Sequence, residues 1–173
     1  MSIWGKLLAG TFGFALGGPI GALLGVIAGH SVDKIRKQKA GFDGNVQSPQ
    51  EVITIGIIIL AAKLAKADGQ VTSEEVSAFK EKFKIPPDFQ NDVGKIFNEA
   101  KKNSEDYHQY AQQLGMIFRG QPQVLEQVIN LLFFIAEADG EISSSEIAFI
   151  EGCAKYFGLN KNQYESIQTM WLD

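Results

Sequence analysis

Four carboxylates stand at matching places in two copies of one short pattern. Residues 67–75 read ADGQVTSEE and residues 138–146 read ADGEISSSE, related by a shift of 71 without a gap. Asp68 and Glu75 in the first copy therefore correspond to Asp139 and Glu146 in the second. Carboxylate oxygens suit a hard cation such as Ca²⁺ or Mg²⁺, and two acidic turns converging on one face would repel each other until a divalent ion intervened. The spacing is not that of an EF-hand, because glycine follows the first Asp directly instead of five residues later. The same residues also have a purely structural account. Thr72 with Glu75, and Ser143 with Glu146, have the S/T-x-x-E spacing of a capping box. Gly69 and Gly140 supply the positive φ of a helix exit. Capping alone, and capping combined with cation binding, both stay open at this level.

The elements that must position these turns are helices. The register of the repeat extends backward through Ile58/Ile129, Leu60/Leu131 and Leu64/Ile135, so each acidic turn joins a long apolar helix to a following one. Apolar spacing and capping signals predict seven helices, near 51–67, 72–84, 87–102, 106–118, 122–138, 143–157 and 161–172. The β-branched run at 52–62 is read as a buried helix and not a strand, since it continues to Ala67 and matches the later copy. The paired central helices are expected to cross through Ile58, Leu60, Leu64, Ile129, Leu131, Phe134 and Ile135. The fold class that follows is an all-α seven-helix bundle with an internal pseudo-twofold repeat, occupying residues 51–173.

A different kind of segment precedes the bundle. Residues 7–29 are 23 consecutive residues without a charge, enough at about 1.5 Å per residue to cross a hydrocarbon core of about 30 Å. Gly13, Gly17, Gly21, Gly25 and Gly29 recur every fourth residue, an extended GxxxG pattern that lets a second helix backbone approach and points to homo-oligomers through this anchor. Gly17-Gly18-Pro19 leaves a re-entrant hairpin as the alternative to a spanning helix. A cleaved leader is disfavoured by the position of the basic cluster. Lys34, Arg36, Lys37 and Lys39 follow the segment and Lys6 precedes it, so the positive-inside rule places the following body in the cytoplasm, with a single pass. Trp4 and His30 fall at the two interfaces. The domain plan is an anchor at 1–39, a Gly/Ser/Pro-rich linker at 40–50, and the helical body.

Charge and composition exclude several functions. The net charge is −4, of which residues 1–39 contribute +4, leaving −8 for residues 40–173. An acidic body repels phosphate backbones, so nucleic acid is not expected as a partner. Lys80, Lys82 and Lys84 read as a solvated face with Phe79 and Phe83 turned inward. Cys153 is the only cysteine, which excludes an intrachain disulfide and a thiolate zinc site, and it reads as a small buried side chain. His108 reads as solvated. No nucleophile elbow, phosphate loop or dinucleotide fingerprint occurs, so no catalytic residue is assigned and the chain is not expected to be an enzyme.

The doubled ADGx[VI][ST]SxE pattern on an acidic seven-helix body resembles the tellurite-resistance TerB family. That resemblance implies divalent-cation binding through acidic side chains, at Asp68, Glu75, Asp139 and Glu146 here. SIWGK at 2–6, the glycine-rich segment and GHSVDK at 29–34 look like the start of membrane-anchored DnaJ-like co-chaperones of the DjlA type. This implies a bacterial inner-membrane location and a role as an interaction or regulatory module. The alternative is the sensor half of a co-chaperone whose J domain lies outside this chain. The His-Pro-Asp tripeptide through which a J domain acts is absent from the 173 residues. Nothing in the residue types identifies a protein partner.

Overall fold

A helix that is apolar on every side has no face to offer water, and the chain is arranged around one such helix. The computed structural model describes residues 18–29, 49–67, 69, 76, 79–82, 84 and 90–172. Seven α-helices are bounded within them: α1 (Gly18–Gly29), α2 (Pro49–Ala67), α3 (Gln90–Ala100), α4 (Tyr107–Ile117), α5 (Pro122–Ala136), α6 (Ser144–Tyr156) and α7 (Lys161–Leu172), with a 3₁₀ turn at Glu137–Asp139. No strand occurs among the described residues, so the β-branched run of α2 is helical as expected. The helix expected at 72–84 lies largely outside the described residues, which show helical backbone at 76 and 79–82.

Every residue from 55 to 65 is buried. Helix α2 packs against α3, α4, α5 and α6, so these four helices form its wall. Pro49 opens α2 in the first turn, where its missing N–H costs nothing. Helix α5 buries Leu125, Val128, Ile129, Leu132 and Phe133 at helical spacing, one stripe and not a full circumference. Of the residues expected to cross between the two central helices, Ile58, Leu60, Leu64, Ile129 and Ile135 are buried, whereas Leu131 and Phe134 are only partly so. The reason is that α5 has an outer side and α2 has none.

The remaining helices lock on through local stop and start signals. Gly158 adopts φ +84° after α6, letting Leu159 N–H reach Ala154 O at 3.1 Å, the 6→1 bond of a Schellman turn. Asn160 and Gln163 then exchange side-chain-to-backbone bonds at 2.7 and 2.8 Å to open α7. Trp171 and Tyr164 of α7 stack on Phe133 of α5, and the Trp171 indole donates to Asn130 Oδ1 at 3.0 Å. Helix α4 approaches α6 closely enough that a Cβ on Gly115 would lie 2.8 Å from the Tyr156 carbonyl oxygen. Gly115→Ala is therefore expected to destabilise the protein by about 1–3 kcal/mol through overpacking against backbone. A Cβ on Gly94 meets nothing within 4 Å, so Gly94→Ala in α3 should stabilise by about 0.5–1 kcal/mol. Thermal melts of both variants, followed by circular dichroism, read the difference in sign.

Candidate functional site

The two acidic turns share a backbone design. Gly69 N–H donates to Lys66 O at 2.9 Å and Gly140 N–H to Glu137 O at 2.8 Å, and the two glycines have φ of +88° and +100°. The second turn continues into a complete capping box: Ser143 Oγ accepts from Glu146 N–H at 3.1 Å, and Glu146 Oε1 accepts from Ser143 N–H at 3.0 Å. Glu146 is only 1% exposed, so its charge is held inward over the start of α6, where the helix dipole also favours it. Asp68, Thr72 and Glu75 of the first copy lie outside the described residues, as does the side chain of Asp139. Among the described residues no group of three or more His, Cys, Asp or Glu side chains is arranged to hold a metal ion.

A second polar cluster lies where only apolar packing was expected. Lys63, about one turn from the C-terminal end of α2, is 2% exposed, and an ammonium so buried must be hydrogen-bonded and paired. Its Nζ donates to Asn103 O at 2.7 Å, to Ala100 O at 3.1 Å and to Asp106 Oδ1 at 2.5 Å. It also lies 4.7 Å from the centre of the Tyr110 ring, in cation–π range. All three donors of the ammonium are thus used, and the α3–α4 connection is folded over Lys63. Asp106 is the N-cap residue of α4 but makes no side-chain cap bond; its carboxylate goes to Lys63 instead. Burial first, then the carboxylates of Asp106 and Glu99, pushes the Tyr110 phenol up to about 12. The sequence signal for this cluster is a lysine enclosed by buried apolar positions, and it corresponds to Phe134 in the second copy.

The other chemically capable side chains are accounted for by packing. Cys153 is fully buried, and burial pushes its thiol well up, away from nucleophilic use. His108 differs from the solvated expectation. It is half-buried against Tyr107 and Tyr156, with Nδ1 3.1 Å from Glu105 O. Lys80, Lys82 and Lys84 are exposed and Phe79 is buried, as the patterning indicated, while Phe83 lies outside the described residues. Lys82 lies over the outer Phe134 ring at 5.2 Å.

The glycine-rich segment contributes α1, a 12-residue helix. Residues 7–17, with Gly13 and Gly17, lie outside the described residues. No helix among the described residues is long and apolar enough to cross a membrane. Ile20, Leu23 and Leu24 of α1 are instead buried in the body's core, against α3 and α4.

A family model described as tellurite resistance protein TerB matches residues 54–169. One described as the co-chaperone DjlA transmembrane domain matches residues 1–48. Among curated proteins, co-chaperone protein DjlA of Photobacterium profundum is 29% identical over 175 residues, covering 94% of this chain and 63% of the relative. The DjlA protein of Yersinia pseudotuberculosis is 24% identical, covering 99% and 64%, and that of Escherichia coli K12 is 21% identical, covering 98% and 64%. The chain thus spans less than two thirds of the length of these relatives. No solved structure matches it.

The Lys63–Asp106 pair predicts a non-additive mutant cycle. Lys63→Met and Asp106→Ala should each destabilise the fold, and the double variant should lose less than the sum, by about 0.5–3 kcal/mol of coupling. Urea unfolding of the four proteins measures it. Because the folded pKa of Tyr110 lies above the ordinary value of 10, its contribution is fully present below pH 10 and is lost as pH rises from about 10 to about 12. Tyr110→Phe should flatten that alkaline loss in melts taken across this range.

Proposed function

Since the chain belongs to the TerB family, with a match to a co-chaperone transmembrane domain ahead of it, we propose that it is a membrane-attached helical module that binds and regulates rather than catalyses. The observation that carries the reading is the tandem of the two matches, membrane domain at 1–48 and TerB at 54–169, in one chain. In this reading residues 1–39 hold the acidic body against the cytoplasmic face of the inner membrane. Gly13, Gly17, Gly21, Gly25 and Gly29 form the surface on which two anchors meet. The buried stripe of α1 includes Gly21 and leaves Gly25 clear, since a Cβ there would meet nothing within 4 Å. The acidic turns bind a divalent cation through Asp68, Glu75, Asp139 and Glu146, and the cation joins the two halves of the repeat. What speaks for this is the equivalence of the two turns in backbone geometry.

A second reading is favoured by the length of the relatives, which exceeds that of this chain. The chain is then the sensor and dimerisation half of a co-chaperone whose J domain lies elsewhere. Without a His-Pro-Asp tripeptide, these 173 residues alone should not stimulate an Hsp70 ATPase.

Two measurements test the proposal. The full chain should float with liposomes, and Gly17→Leu, Gly21→Leu and Gly25→Leu together should reduce crosslinking between chains while leaving flotation intact. Ca²⁺ or Mg²⁺ should raise the melting temperature, by a stabilisation of about 2.7 kcal/mol at a hundredfold excess over Kd. Asp68→Asn and Asp139→Asn should abolish the shift. A wild-type chain that gives neither binding heat nor a shift would leave the four acids as helix punctuation.

A further inference from the structure

The same side chains are claimed by two environments. Ile20, Leu23 and Leu24 belong to the uncharged run that the transmembrane match covers, yet Ile20 is fully buried in the body, with Leu23 and Leu24 at 6% and 9% exposure. They follow the i, i+3, i+4 spacing of one helix face, and Ile27, one turn further on, packs partly buried against the same core. Helix α1 cannot present this face to α3 and α4 and to lipid at once.

The seat has polar features fitted to a helix end. The N–H of Ile20, in the first turn of α1 and therefore without an intrahelical acceptor, donates to Gln113 Oε1 of α4 at 2.8 Å. Beneath the C-terminal half of α1 a cleft of about 250 Å³ is lined by Ala22, Leu23 and Val26 on one side and by Lys63, Asp106 and Tyr110 on the other. Both seats keep Ile20, Leu23 and Leu24 out of water; the body covers that one face and leaves Val26 half exposed, whereas a bilayer would cover the other face as well. The many glycines of the segment weaken its preference for lipid relative to a leucine run. Residues 30–48 join α1 to α2, and 19 residues can reach at most about 65 Å when extended.

We propose that the α3–α4 face of the body is a docking site for the chain's own residues 18–29, in competition with the bilayer. Insertion vacates the face and opens the Lys63 cleft, and loss of the membrane refills it. This exchange rests on the membrane attachment proposed above. The occupant is the chain's own segment, because the structure seats it there and its N-terminal amide meets Gln113.

The test uses the full chain carrying Val26→Cys and Lys102→Cys, on opposite sides of the cleft, made by cell-free synthesis with or without liposomes of phosphatidylethanolamine and phosphatidylglycerol. Buried Cys153 stays native, and the two single-cysteine chains are controls. A short bismaleimide should link the pair within one chain in the absence of lipid, and the yield should fall by roughly tenfold with liposomes. Gln113→Ala should lower the lipid-free yield and raise the floating fraction, as reciprocal coupling requires. A chain that floats with undiminished intrachain linkage overturns the exchange alone. A chain that links without lipid but does not float overturns the attachment on which the exchange rests. Absence of intrachain linkage without lipid, or linkage only between chains, overturns the docking site itself.

Discussion

The constraint on which the structure depends is that α2 has no side facing water. An uninterrupted buried stretch from 55 to 65 has to be walled on all sides, and α3, α4, α5 and α6 supply the wall. One residue of that stretch is charged. The Lys63 ammonium can be carried inside only if its three donors are met, and the connection between α3 and α4 is shaped to meet them. Ala100 and Asn103 turn their carbonyls inward, and Asp106 forgoes its own helix cap to supply the counter-charge. A buried pair of this kind is weak evidence for added stability. Its effect is to fix where a loop lies, because an apolar side chain at 63 would tolerate many loop conformations and an ammonium tolerates few.

The internal repeat is a symmetry of construction that the packing breaks. Gly69 and Gly140 turn the chain in the same way, yet Lys63 in one copy stands where Phe134 stands in the other, and Ile59 where Asn130 stands. Each difference follows from what covers the helix. In α5, Asn130 faces the C-terminal helix and accepts from Trp171, and Phe134 lies near the outside beneath Lys82. The corresponding positions of α2 are enclosed. Two copies of one pattern have thus become a hub and a wall.

The α3–α4 unit connects the two ends of the functional reading. It receives Lys63 from within and α1 from without, so a change in what occupies its outer face acts on elements that the buried ammonium already holds in register. Glycine at 56 and 115 brings α4 near α2 on one side and α6 on the other, leaving little slack for it to move independently of the core.

Much of this was legible in residue order alone. The helical class, the helix starts at 122 and 161 and, within one residue, the start expected at 143, the Asp-Gly turns, the capping box of Ser143 and Glu146, the buried Cys153 and the duplication all follow from short-range rules: periodicity, positive φ at glycine, and side chains that cap their own helix. What only the tertiary structure decided depends on residues far apart in the chain. That α2 is enclosed and α5 is one-sided could not be read from two similar apolar runs. A lysine in such a run looks like a solvated side chain until Asp106, 43 positions away, is brought to it. The uncharged segment at 7–29 has the length and freedom from charge that lipid requires, and only the shape of the α3–α4 face makes protein a second apolar seat for its latter half. Local patterns specify what a segment must hide from water, and the fold specifies what hides it.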